Sequence, residues 1–249
     1  MEVDWSPLRR ELALWRQGST PLRIWWRDDD AVSRTPLLLR LVDLTESLDI
    51  PLHLAVIPSL ADDTLQGLLA EKRSIVAMVH GWSHANHAPK GQKKAEFGHP
   101  RAAAADELAM GLSNLQGLFP SAAVPFFVPP WNRIHPTMIA RLAAAGYKGV
   151  STFNARGQAY PHPGLLQINT HLDPIFWRGG RGLVPPDDLI SLLVANLQDR
   201  RAGNTDADEP LGILTHHLVH DEAIWEFTKA LVSELLSGGC LSVSLQDVL

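Results

Sequence analysis

The chain predicts an α/β fold whose parallel sheet closes, or nearly closes, on itself. Three observations carry this expectation. Short apolar segments rich in β-branched and aromatic residues alternate with helical ones to give about eight strands along 249 residues, which is the pattern of repeated βα units rather than of hairpins. Acidic and histidine clusters come directly after the runs RIWW, SIVAMV and LGILT, and in parallel sheets and barrels chemistry collects at the carboxyl ends of strands. Hydrophobic residues make up 45% of the chain, enough to fill the core of one domain spanning residues 1–249.

Taken in order, Pro7–Gln17 is amphipathic and ends at Gly18, so it predicts a helix. Leu22–Trp26 predicts a strand, Pro36–Ser47 a helix and Leu52–Ile57 a strand. Leu60–Lys72 predicts a helix and Ser74–Val79 a strand. A long alanine-rich helix is expected over Ala102–Phe119, then a strand over Ala123–Val128. Pro136–Ala145 predicts a helix with proline in its first turn. Lys148–Thr152 and Leu165–Asn169 are short strand candidates. Pro186–Arg201 predicts a helix, with Asp187 and Asp188 at its positive end. Leu211–Thr215, Asp221–Ser237 and Leu241–Val243 complete the series as strand, helix and strand. Ala85–Pro100, Asn154–Pro163 and Ala202–Pro210 fall outside it as loops.

Composition narrows the partners. A net charge of −5 at pH 7 comes with no basic stripe, so no nucleic-acid partner is expected. The single cysteine, Cys240, excludes an internal disulfide. The segment MEVDWSPLRRELALW lacks the apolar core of a signal peptide, and no 18 residues in succession are apolar. These features lead us to expect a cytoplasmic protein without a transmembrane segment. Its partner is expected to be a small-molecule or carbohydrate substrate, and its oligomeric state is not specified.

His80 and His84 lie four residues apart, a spacing that on a helical turn points both imidazoles to one side. Gly81 would permit a tight turn from strand to helix. A carboxylate from elsewhere would complete a two-histidine, one-carboxylate site, suited first to zinc and also to cobalt, nickel or iron. Packing and capping are the competing uses of such a histidine pair. Asp28, Asp29 and Asp30 follow a strand-like run. Neighbouring residues on a strand point to opposite sides, so Asp28 and Asp29 cannot serve one metal symmetrically. One can ligate while the other acts as a base. Three carboxylates in a row also repel unless a cation is near.

These residues resemble, in order, the motifs of the polysaccharide deacetylases, the NodB-homology or carbohydrate esterase family 4 domain. Trp26-Arg27-Asp28-Asp29-Asp30 stands where that family has T-F-D-D-G, and His80-Gly81-Trp82-Ser83-His84 is similar to its H-[ST]-x-x-H. Val128-Pro129-Pro130-Trp131 resembles R-x-P-[YW] without the arginine, and Leu214-Thr215-His216 matches L-x-H. The resemblance implies a distorted (β/α) barrel of about seven or eight mostly parallel strands. It implies one divalent metal on Asp29, His80 and His84, with Asp28 as general base and His216 as general acid. Trp131, Pro130, Trp82, His87 and Arg133 are the expected substrate contacts. Arg133 or Arg27 could replace the missing arginine, and Asp173 is a weak counterpart to the family's remaining aspartate. The chain thus reads as a divergent branch and as a metal-dependent hydrolase removing an N- or O-acetyl group from a carbohydrate or sugar conjugate. An allantoinase-like amidohydrolase, or a non-catalytic metal- or carbohydrate-binding module, are the alternatives. The loop Ala85–Pro100 is expected to shape substrate entry, with Lys90, Lys93 and Lys94 favouring an anionic group.

Overall fold

A computed structural model describes residues 3–248. Its helices are α1 (Ser6–Trp15), α2 (Pro36–Ser47), α3 (Asp63–Glu71), α4 (Ala104–Leu118), α5 (Thr137–Ala144), α6 (Pro186–Arg201) and α7 (Glu222–Ser237). Its strands are β1 (Arg23–Ala31), β2 (Leu52–Val56), β3 (Ile75–His80), β4 (Ala123–Val128), β5 (Gly149–Val150), β6 (Leu166–Gln167), β7 (Leu211–Thr215) and β8 (Leu241–Ser242). The sheet runs β6-β5-β4-β3-β2-β1-β7, and β8 pairs with the start of β1. Every pairing is parallel. No helix among the described residues is long and apolar enough to cross a membrane.

The distorted barrel expected from the sequence is present, and its distortion lies on one side. β5 and β6 have only two residues each. Beyond β6 the chain crosses to β7 through single bridges, Phe153 with Thr170 and Leu172 with Ile213. His171 N donates to Gly212 O at 2.7 Å, and Leu214 N donates to Leu172 O at 2.8 Å. Buried backbone polar groups need partners wherever a ladder is missing. Here the buried Glu209 carboxylate supplies them, accepting from Asn169 N at 2.8 Å and Arg156 N at 3.0 Å. Burial as an unpaired ion would be costly, and His171 and the Arg200 guanidinium lie beside it.

Strand alternation divides the core in two. Ile24 and Trp26 of β1 face the helix layer, with Leu38, Leu41, Leu231 and Val232 among its buried members. Trp25 faces the barrel interior with Ala55, Val76, Met78, Phe126 and Ile168. Its indole N–H donates across the barrel to Asn169 O at 3.1 Å. Arg27 and Asp29 continue the inward row above it, at the carboxyl end of the barrel.

Most element boundaries lie near those expected. Two differ for physical reasons. The helix expected from Leu60 begins at Asp63, because Asp62 caps it by accepting from Thr64 N and Leu65 N. The strand expected to stop at Trp26 continues to Ala31, so Asp28 and Asp29 lie inside a paired strand.

His53 ties β1, β2 and the C-terminal segment together. Its Nδ1–H donates to Trp26 O at 2.9 Å, and its Nε2 accepts from Leu245 N at 3.0 Å. Burial pushes its pKa down from 6.5 to about 4, against the opposing pull of the Trp26 carbonyl. The unfolded chain therefore binds this proton more readily than the folded one. Titration of His53 leaves stability unchanged above its unfolded pKa of 6.5, and folding weakens as pH falls from there towards about 4. At about 1.4 kcal/mol per unit, the loss approaches about 3 kcal/mol. Denaturant unfolding of chelator-treated protein at several pH values should show that slope, and His53→Gln should flatten it. Parallel slopes for the two proteins would refute the assignment.

Candidate metal centre

The site forms where β1, β3, β4 and β7 end. Between Asp28 and Ala31 the pairing of β1 with β2 slips, and Asp30 takes a left-handed backbone (φ 74°). Bulges of this kind re-aim side chains and occur beside active sites. Asp30 is turned towards His80, the last residue of β3: its Oδ1 lies 3.1 Å from His80 Nε2 and 3.3 Å from His84 Nε2. Asp30, His80 and His84 each offer one ligand atom, all within 4.8 Å of one another.

His80 and His84 do not converge on a helical turn, as their spacing suggested. The chain between them is a non-helical bend with positive φ at Gly81 (64°) and His84 (56°). Gly81 is needed for space as well as for its backbone angle. A Cβ there would lie 2.0 Å from Glu96 Oε2 and 2.6 Å from Pro130 Cγ. Glu96, buried in the second half of the Ala85–Pro100 loop, holds the bend by accepting from Trp82 N (3.2 Å) and from Ser83 N (2.9 Å). Trp131 (φ 58°) lies against His84 with ring centroids 4.3 Å apart. Strained non-glycine residues are thus gathered around this centre, a clustering typical of functional sites.

The donor set fits a divalent cation. His80 Nδ1–H donates to Val128 O at 3.1 Å, which leaves the Nε2 lone pair facing the Asp30 carboxylate. Two acceptors in that position require a proton or a metal ion between them, and a backbone carbonyl behind a ligating histidine is the usual support for a metal. Without an ion, burial would raise the Asp30 carboxyl, but the hydrogen bond and charge of His80 outweigh it and hold the group far below the carboxylate range. Burial would lower His80, and the charges of Asp29 and Asp30 turn it upward instead.

Asp29, expected beside the two histidines, is engaged elsewhere. Arg27, two residues back on the same inward face, donates from Nε to Oδ1 at 2.8 Å and from Nη2 to Oδ2 at 3.0 Å. The guanidinium is fully buried, and it also donates to Ser151 Oγ (2.7 Å) and Asn132 Oδ1 (2.6 Å). The free edge of Asp29 faces His216, whose Nε2 is 4.0 Å from Oδ2. His216 Nδ1 is buried without a hydrogen-bond partner, and Trp177 packs edge-on against the ring at 4.8 Å. Asp173 holds Trp177 by accepting from its Nε1 at 2.7 Å. Burial raises the Asp173 carboxyl, against the pull of His216.

Asp28 points the opposite way, into the helix layer. Its Oδ1 accepts from His217 Nδ1 at 2.5 Å, and its Oδ2 accepts from Thr215 Oγ1 (2.7 Å) and His217 N (2.9 Å). Both partners are buried. Burial opposes both charges, yet the pairing wins: Asp28 is lowered and His217 raised. The pair anchors the residue that follows His216. Of the expected substrate contacts, Trp131 borders the histidines and Pro130 is buried under Gly81. Trp82 packs with the helix layer, His87 is exposed on the loop, and Arg133 Nη1 donates to Lys94 O at 2.6 Å. Sequence reasoning missed the partnership of Asp30 with the histidines and that of Arg27 with Asp29. The available signal was the even spacing of Arg27 and Asp29, which places both on one strand face.

No protein-family model and no curated protein sequence matches the chain. Solved structures share its architecture. A peptidoglycan N-acetylglucosamine deacetylase aligns with a TM-score of 0.57 at 15% identity, covering 92% of this chain and 89% of that one. A family 4 acetyl xylan esterase from Clostridium thermocellum, in complex with a cobalt ion, aligns at 0.52 and 14% identity, covering 90% and 89%. A mutant of a family 4 pseudoenzyme with restored enzymatic activity aligns at 0.56 and 12% identity, covering 92% and 68%. The chain therefore has the distorted barrel fold of the family 4 carbohydrate esterases and polysaccharide deacetylases.

The Asp28–His217 pair should be structural. Asp28→Asn leaves His217 buried without its counter-charge, and breaking such a pair costs about 3–5 kcal/mol. Denaturant unfolding should register that loss, with metal content unchanged. A loss below about 1 kcal/mol would show that the pair does not hold this corner.

Proposed function

We propose that this protein is a metal-dependent hydrolase that removes an acetyl group from an acetylated carbohydrate or sugar conjugate. The observation that supports this best is the convergence of Asp30, His80 and His84 at the barrel mouth, with Asp29 and His216 beside them. One carboxylate and two imidazoles leave open positions, as catalytic zinc sites require, and cobalt, nickel or iron also suit the donors. A divalent ion held there polarises an acyl carbonyl and lowers the pKa of water.

The chain's own residues supply the proton transfers. In this reading the base is Asp29, one position along from the Asp28 expected from sequence. Asp28 lies behind the sheet, turned away from the opening and paired with His217 and Thr215. Asp29 keeps its carboxylate aligned through the two-pronged contact with Arg27. It takes a proton from the attacking water. His216, across the same opening, donates a proton to the departing nitrogen or oxygen through Nε2. Trp131 and Trp177 wall the opening with flat apolar surface suited to a sugar ring.

Elemental analysis should find about one metal per chain, lost in Asp30→Ala and His80→Ala. Asp29→Asn and His216→Ala should keep the metal and lower acetate release from acetylated sugars by roughly 10²–10⁴-fold. Full metal content in Asp30→Ala, or unimpaired turnover in Asp29→Asn, would overturn these assignments.

A further inference from the structure

A cavity of about 790 Å³ opens beside the metal centre, lined by Lys93, His99, Asn132, Arg133, Thr152 and Gln167 among others. Its volume is within the range of small-molecule sites. It shares walls with the site described above: Asn132 Oδ1 and Thr152 O both accept from Arg27, and Trp131 lies one residue away against His84. Three of its side chains are basic, Lys93, His99 and Arg133, and none of its lining residues is acidic. Among the described residues no carboxylate pairs with any of the three. Arg133 commits only Nη1, to Lys94 O, so the rest of its fork is available. That contact also presents the lysine-bearing loop along the cavity wall. On a chain with a net charge of −5, the unpaired cations Lys93 and Arg133 along one recess mark a place for a charge from outside.

We propose that this recess binds an oxyanion carried by the substrate, so that the protein acts on an acetylated sugar bearing a phosphate or carboxylate group. Guanidinium and ammonium groups recognise both oxyanions, the guanidinium through paired N–H donors. The proposal rests on the hydrolase reading for the acetyl group but not for the anion.

Calorimetry on the metal-loaded protein with N-acetylglucosamine phosphate, glucuronate and neutral N-acetylglucosamine tests it. At least one anionic sugar should bind tighter than the neutral one. Arg133→Ala should weaken that binding by about 10-fold, the value of one charged hydrogen bond. Lys93→Ala/His99→Gln should do the same without touching the Arg133–Lys94 contact, and added salt should mimic both. Binding of the phosphate alone, or of the uronate too, identifies which oxyanion is read. Anionic and neutral sugars of equal affinity, or variants that bind like the parent, would overturn the proposal. Acetate release separates the two readings. Tight, Arg133-dependent binding of sugars that are never deacetylated would sink the hydrolase and keep the recess. Deacetylation of neutral and anionic sugars with equal kcat/KM would do the reverse.

Discussion

Three consecutive carboxylates at the end of β1 repel one another and can be tolerated only if each finds a different counter-charge. Strand alternation separates the first two: Asp28 turns outward to His217, and Asp29 turns inward to Arg27. A third residue in regular β conformation would return to the outer face beside Asp28. The slip in pairing and the left-handed backbone at Asp30 prevent this and send its carboxylate to His80 and His84. Positive φ is a modest cost for aspartate, which tolerates that region better than most residues. The rest of the site depends on this divergence, because a candidate base, a candidate ligand and a structural ion pair occupy successive positions.

The surroundings keep each carboxylate in its place. Arg27 is fully buried and could not remain there without Asp29, Ser151 and Asn132 around its guanidinium. Asn132 itself has a left-handed backbone, and it follows Trp131, which has another. The loop after β4 is thus bent to deliver an oxygen to Arg27 and an aromatic face to His84 in the same turn. The loop after β3 is bent by Gly81 and secured by Glu96, drawn from the far end of the long Ala85–Pro100 segment. That segment divides into two parts. Ala95, Glu96 and Phe97 are buried and form part of the scaffold, while Lys90, Lys93 and Lys94 are exposed at its rim.

The weak side of the barrel shows the same economy. Where β5 and β6 are too short to build a ladder, Glu209 accepts from backbone N–H groups, and His171 and Arg200 balance its charge. This cluster lets residues 168–172 cross to β7, whose end carries Thr215, His216 and His217. The position of His216 therefore depends on closure at one side of the barrel and on the Asp28–His217 pair at the other.

Sequence alone determined the elements and their order, because apolar periodicity, proline positions and helix caps are local signals. It also determined that aspartates and histidines would meet at one mouth, since parallel strands bring their carboxyl ends together. The resemblance in motif order was legible for the same reason. Which partner each aspartate faces was decided only by tertiary structure. A strand read as ending at Trp26 leaves the side of each carboxylate undefined, and a shift of one residue exchanges the faces. The bulge at Asp30 then depends on how β1 pairs with β2. Likewise, nothing local says that Arg27 meets Asn132, 105 residues away, or that Glu96 reaches back to Ser83. Such contacts arise from closure of the barrel, which brings together groups that no stretch of chain holds side by side.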